Sequence, residues 1–200
     1  MNKLVKGAIA SAAGVALLMG GAGTFAYWND SVNVTAGTIT AGNLDVADGT
    51  PATGAWTVQK DGTGTAVPVA DIAAFVASPG DKLTYTKNIV ITATGNNLVA
   101  TLSLASGSIA APATGATAAD TALAAYLTKQ ASITATGTGI TAGSVAGTYT
   151  VTAGTAGITN QPVALSVVIT FPKSGTAGAE NNTKLGTVSL SGLAVELNQV

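Results

Sequence analysis

Apolar and polar residues alternate at period two through much of the chain. Val163, Leu165, Val167, Ile169 and Phe171 form the longest run, stopped by Pro172 and a loop rich in Gly, Asn and Thr; this is the spacing at which one face of a β-strand is buried. Leu83, Tyr85, Ile89 and Ile91 share one parity of an earlier segment, and Thr84, Thr86 and Thr92 share the other. Lys87 interrupts the apolar parity and predicts an edge or a strand end. Ahead of this segment, Pro79 and Gly80 fit a tight turn, with Asp81 placed for a local side-chain to backbone bond. Behind it, the TGNN turn at residues 94–97 leads into Leu98, Ala100, Leu102 and Leu104, which predicts a hairpin with one buried face.

The parity changes at both ends of the chain. Val32 and Val34 are even, Ile39 and Ala41 odd, and Leu44 and Val46 even again, with the switches at Gly37 and Gly42. Near the C-terminus, Val188 and Leu190 give way to Leu193, Val195 and Leu197 across Ser191 and Gly192. Glycine at a parity break predicts a bulge or a corner where a strand passes from one sheet to another. One short helix is predicted, with Asp120 or Thr121 as N-cap and Leu123, Tyr126 and Leu127 at helical spacing. Trp56 and Val58 fit a strand, with an exposed aromatic for glycan stacking as the alternative for Trp56. Many short strands, close turn signals and little helix predict an all-β chain: an antiparallel β-sandwich of jelly-roll type with long Ala/Gly/Thr-rich loops.

Ahead of this region the pattern is different. Lys3 and Lys6 precede a twelve-residue apolar segment, AIASAAGVALLM, followed by the small residues of GGAGT. A basic start, a short apolar stretch and small residues describe a cleavable export signal, and the apolar stretch is short for a bilayer span. Thr24 and Ala26 stand at spacing two before Tyr27, so cleavage after Ala26 is expected, with Ala22 as the competing site. The expected organisation is a signal peptide over residues 1–26 and a single β-sandwich domain over 27–200, with only transient membrane contact through the signal.

Composition narrows the chemistry. Among 200 residues 8% are charged, all eight basic residues are Lys, and the net charge is −1; removal of residues 1–26 takes it to −3. Nucleic acid is not an expected partner of such a surface. With no Cys and no His, thiolate and imidazole chemistry are excluded, and with them most hydrolase and metalloprotease mechanisms. Asp45 and Asp48, three apart around an expected turn, Asp71 and Asp81 beside the Pro-Gly-Asp turn, and Asp61 in a DGTG loop lack the dense oxygen spacing of a calcium loop. The G-x-G pairs at residues 62–64 and 137–139 are expected in loops, and no G-x-S-x-G occurs. The expectation is therefore no catalytic residue, no metal and no cofactor.

Residues 23–46, GTFAYWNDSVNVTAGTITAGNLDV, resemble the N-terminal signature of the TasA/camelysin proteins of Gram-positive bacteria. The resemblance is carried by Phe25, Ala26, Trp28, Asp30, Ala41, Gly42, Leu44, Asp45 and Val46. A second resemblance covers residues 78–104, SPGDKLTYTKNIVITATGNNLVATLSL; the Ala/Gly/Thr-rich middle of the chain matches poorly. The resemblance implies a jelly-roll fold, export through a SipW-type signal peptidase, and a secreted place in the biofilm matrix or at the cell surface. It also implies self-association into fibres, the N-terminal segment of one subunit becoming a strand of the next. Residues 27–36 are the expected donor, Tyr27 and Trp28 leading and Val32 and Val34 presenting the inward face. The competing expectation is a monomeric secreted or surface β-sandwich that binds a glycan or acts as an adhesin.

Overall fold

The alternating run 163–171 belongs to a 13-residue strand. Its inward residues Val163, Leu165, Val167 and Ile169 are buried, as is Phe171 immediately after its last residue, and Pro172 follows. The computed structural model describes residues 2–22 and 37–200, which divide into two compact units, Met1–Ile39 and Thr40–Val200. The first contains a helix, α1, Lys3–Ala22. Among the described residues no helix is long and apolar enough to cross a membrane.

The second unit is mostly β. Its strands are β1 (Asn43–Asp48), β2 (Ala55–Gln59), β3 (Val67–Val69), β4 (Lys82–Thr94), β5 (Val99–Leu104), β6 (Ala131–Thr136), β7 (Ile140–Ala142), β8 (Tyr149–Thr152), β9 (Ile158–Thr170) and β10 (Val195–Gln199). A helix, α2 (Ala118–Thr128), precedes β6. Two antiparallel sheets result. The larger has the order β3-β2-β4-β9-β6, with β1 also paired to β4; the smaller has the order β10-β5-β8-β7. Ile91 and Ile169 from the first sheet and Leu102 and Val151 from the second are fully buried in one shared core. Each such side chain stabilises the fold by about 1.5–3 kcal/mol relative to exposure.

Three sequence expectations change here. The TGNN turn is not a hairpin within one sheet: β4 lies in the six-stranded sheet and β5 in the four-stranded one, so the turn carries the chain between sheets. Period two identifies a buried face but does not name the neighbouring strand. Lys87 is neither at a strand end nor on an outer edge. It lies midway along β4, opposite Leu165 of β9, and what stops beside it is the strand on the other side: β2 reaches Thr86 and β1 starts its pairing at Ile89. The intervening loop holds the gap, with the Gly49 N–H donating to the Asn88 carbonyl and Asn88 Nδ2 donating to the Thr50 carbonyl, both at 2.9 Å. Finally, the parity change at Gly42 is not a bulge. Residues 37–42 carry no regular structure, and Gly42 is needed because a Cβ there would meet the Thr94 carbonyl.

The Pro79–Gly80 turn holds in detail. The Asp81 N–H donates to the Ser78 carbonyl at 3.0 Å to close the Pro79–Gly80 turn, and the Asp81 carboxylate accepts from the Ser78 N–H at 2.8 Å. The parity change at Ser191–Gly192, by contrast, is neither a bulge nor a passage between sheets but a turn closed by the Leu193 N–H on the Leu190 carbonyl, after which β10 begins. Pro162 fits inside β9 because β6 pairs only as far as Ala164, leaving no donor required on that side.

Candidate functional site

The site begins with how β1 is placed. Its register sets Leu44 opposite Ala93, Val46 opposite Ile91 and Asp48 opposite Ile89, and directly opposed residues point to the same side of a sheet. All three partners are buried, so Leu44, Val46 and Asp48 face inward. Val46 is nevertheless 36% exposed. The inner face of β1 is therefore only partly covered: Leu44 packs against the core, and cover thins towards Val46 and Asp48. Asp45 and Asp48, expected around a turn, instead lie within this strand, where the Leu44 and Val46 alternation continues past them.

On the facing sheet the outermost strand is β10, paired among the described residues with β5 alone. The Ala105 N–H donates to the Ala194 carbonyl, and the Val200 N–H donates to the Val99 carbonyl. These bonds assign the even residues of β10 to the bonds with β5, so the backbone groups of Val195, Leu197 and Gln199 point to the free edge. Strands β1 and β10 approach without pairing. Between them opens a cleft of about 250 Å³, with Val46 and Asp48 on one wall, Leu193 and Val195 on the other, and Tyr85, Lys87, Ile89, Leu165 and Val167 as its floor.

One charge pair stands in this apolar floor. Lys87 Nζ lies 2.7 Å from Asp48 Oδ1, with the lysine side chain 23% exposed. The hydrogen bond to Asp48 raises the Lys87 pKa above its ordinary value, and partial burial opposes that shift. An ammonium has three donors, and Asp48 occupies one of them. Beside the pair, the Tyr85 ring is fixed by Trp56, with ring centroids 5.0 Å apart. Gly54 leaves room for it, since a Cβ at that position would strike the phenol ring. Trp56 is thus committed to its neighbour as a partly buried strand residue rather than displayed as a free stacking platform.

The other edges differ. β3 is three residues long with Pro68 at its centre, and β7 is three residues long; short strands and proline blunt an edge against pairing. β6 has six residues and an uncharged outer edge, but only residues 137–139 separate it from β7 in the other sheet, so the chain itself bridges that flank.

A second charged centre lies at the start of α2. The N-cap is Thr117, three residues ahead of the expected Asp120; Asp120 is the third helical residue and completes a capping box. Its carboxylate accepts from the Thr117 N–H at 2.6 Å and hydroxyl at 2.7 Å, and from the Thr187 N–H at 2.6 Å and hydroxyl at 2.9 Å. These bonds, led by the Thr187 N–H, hold its pKa well below the usual carboxylate range. Asp120 ties the helix to the segment that leads into β10, a role that capping statistics alone do not reveal.

Thr24, Ala26, Tyr27, Trp28, Val32 and Val34, the expected cleavage and donor residues, lie outside the described residues. Among the described residues no three His, Cys, Asp or Glu side chains are grouped to hold a metal ion. Sequence reading noticed Lys87 but not its partner; the signal was a charge on an apolar parity with an acid, Asp48, on the apolar parity of another strand. Comparison with protein-family models, with curated proteins and with solved structures returned no match.

Proposed function

We propose that this chain is an exported structural protein of the extracellular matrix or cell surface, a β-sandwich of jelly-roll type whose copies join into fibres by strand addition. The N-terminal segment freed by a signal peptidase, residues 27–36, would leave one copy and pair with the free edge of β10 in the next. The observation that carries this reading is the combination, among the described residues, of an unpaired strand edge with the part-exposed Val46, Leu193 and Val195 beside it. An added strand would bond to the backbone of Val195, Leu197 and Gln199, and its alternate side chains would cover the part-exposed Val46. Each backbone bond contributes about 0.5–1.5 kcal/mol net, and apolar coverage about 25 cal/mol per Å². Head-to-tail addition does not close on itself, so it yields a filament.

The test compares purified chains that begin at Tyr27 and at Gly37 by electron microscopy and sedimentation. The longer chain is expected to form filaments and the shorter to stay monomeric with an unchanged thermal midpoint. Filaments of the same kind from both would refute strand donation. A monomer at every concentration from both would favour the glycan-binding or adhesin reading.

A further inference from the structure

The chain contains two Asp–Gly pairs, Asp48–Gly49 and Asp61–Gly62, and the fold holds them differently. In such a pair the main-chain nitrogen of the glycine can attack the aspartate Cγ, because glycine has no side chain to crowd that nitrogen or restrict its backbone. The new N–Cγ bond closes a succinimide ring, and the displaced carboxyl oxygen leaves as water. One water then reopens the ring. Addition at Cγ restores aspartate, whereas addition at the main-chain carbonyl breaks the original peptide C–N bond and leaves isoaspartate, with the chain routed through the side-chain methylene. The net change is an isomerisation in which nothing is oxidised or reduced, and water is the only co-reactant.

Asp48–Gly49 is held shut. Asp48 is paired with Ile89 in the β1–β4 register, and its carboxylate lies 2.7 Å from Lys87 Nζ. The Gly49 N–H donates to the Asn88 carbonyl at 2.9 Å. Gly49 is buried so tightly against Asn88 that a Cβ would collide with the Asn88 backbone. Swinging the Gly49 nitrogen onto Asp48 Cγ requires all of these to be released together, which means opening the end of β1.

Asp61–Gly62 lies instead in a turn between β2 and β3. Both residues are left-handed, Asp61 at φ 51° and Gly62 at φ 66°, a conformation whose cost to an L-residue is relieved when the turn opens. At the Asp61 ψ of 24° the Gly62 nitrogen is rotated away from Cβ about the Cα–C bond, so ring closure here also waits on opening. Little opposes it. The Thr63 and Gly64 N–H groups donate to the Lys60 carbonyl at 3.4 and 3.2 Å, and the Asp61 carboxylate has Lys173 at 3.8 Å, both side chains being more than half exposed. A turn tied by long, solvent-exposed bonds opens far more often than a paired strand. We propose that Asp61 is a site of spontaneous, water-dependent isomerisation to isoaspartate in the folded protein, from which Asp48 is protected.

The experiment holds the full chain at mildly acidic pH and body temperature for several weeks, once folded and once in concentrated guanidinium chloride. Isoaspartate is then located by peptide mapping with electron-transfer fragmentation, which distinguishes the two backbones. In the folded protein isoaspartate at residue 61 should exceed that at residue 48 by about tenfold or more, within the range that local opening spans. In denaturant, where both pairs are equally free, the two should accumulate at similar rates. Asp61→Glu, which closes the corresponding ring far more slowly, should remove the signal at residue 61 and leave residue 48 unchanged. Equal accumulation at both pairs in the folded protein, or none at residue 61, would overturn the proposal. A preference for residue 61 that persists in denaturant would trace it to local sequence and overturn the structural cause.

Discussion

Two regions of this protein direct a charged side chain inward, and they treat it in opposite ways. At the start of α2, Asp120 receives hydrogen bonds from both the backbone and the hydroxyl of Thr117 and Thr187. The chain satisfies that carboxylate itself, and the result joins a helix to the segment before β10. In the β1–β10 cleft, Lys87 has Asp48 and otherwise faces an opening. A charge fully satisfied by its own chain is part of the architecture. One that shares a single, largely exposed carboxylate at the mouth of a cleft stays in contact with solvent. The comparison separates what holds the fold from what the fold presents.

If that distinction is right, the two centres respond differently to substitution. Asp120→Ala removes the shared acceptor of four donors and should give the largest fall in thermal midpoint of the variants considered; an unchanged midpoint would show that the clamp does not hold the fold. Thr117→Ala loses the N-cap and should cost about 1 kcal/mol, read from urea unfolding. Asp120→Asn should be less stable than wild type at neutral pH, with the deficit shrinking in acid. The sign follows from the depressed pKa: the contribution is present above the ordinary aspartate value of 3.8 and is lost as pH falls through the lower folded value. Lys87→Met should have the smallest effect on the monomer, within about 1 kcal/mol of either sign, because the partners are 23% and 63% exposed and the pair is screened by solvent. Its raised pKa makes that contribution full below the ordinary lysine value of 10.5, with loss as pH rises through the folded value. A large monomer destabilisation by Lys87→Met would erase the contrast between the two centres.

Much of the mostly β architecture was legible because alternation reports burial directly. Every inward residue from Val163 to Phe171 is buried, and the Pro79–Gly80–Asp81 turn closes with the expected carboxylate bond. Partner choice was not legible. The same Leu98–Leu104 alternation serves a hairpin or a strand in the opposite sheet, and the structure places β5 in the opposite sheet. The helix start was displaced because Thr117 and Asp120 are both good capping residues, and only the reciprocal bonds between them settle which caps and which reaches back. Lys87 looked like a strand end because a charge on an apolar parity ordinarily marks an edge; the gap between β1 and β2 is a tertiary feature with no local signature.

Hydrogen exchange at single-residue resolution, on filaments and on chains beginning at Gly37, tests the central claim most directly. The backbone amides of Val195, Leu197 and Gln199 on the free edge of β10 should exchange freely in the shorter chain and become protected in the filament, with the even residues of the strand protected in both. Protection that appears on β6 instead, or unchanged exchange at those three amides in an assembled filament, would contradict strand addition at β10.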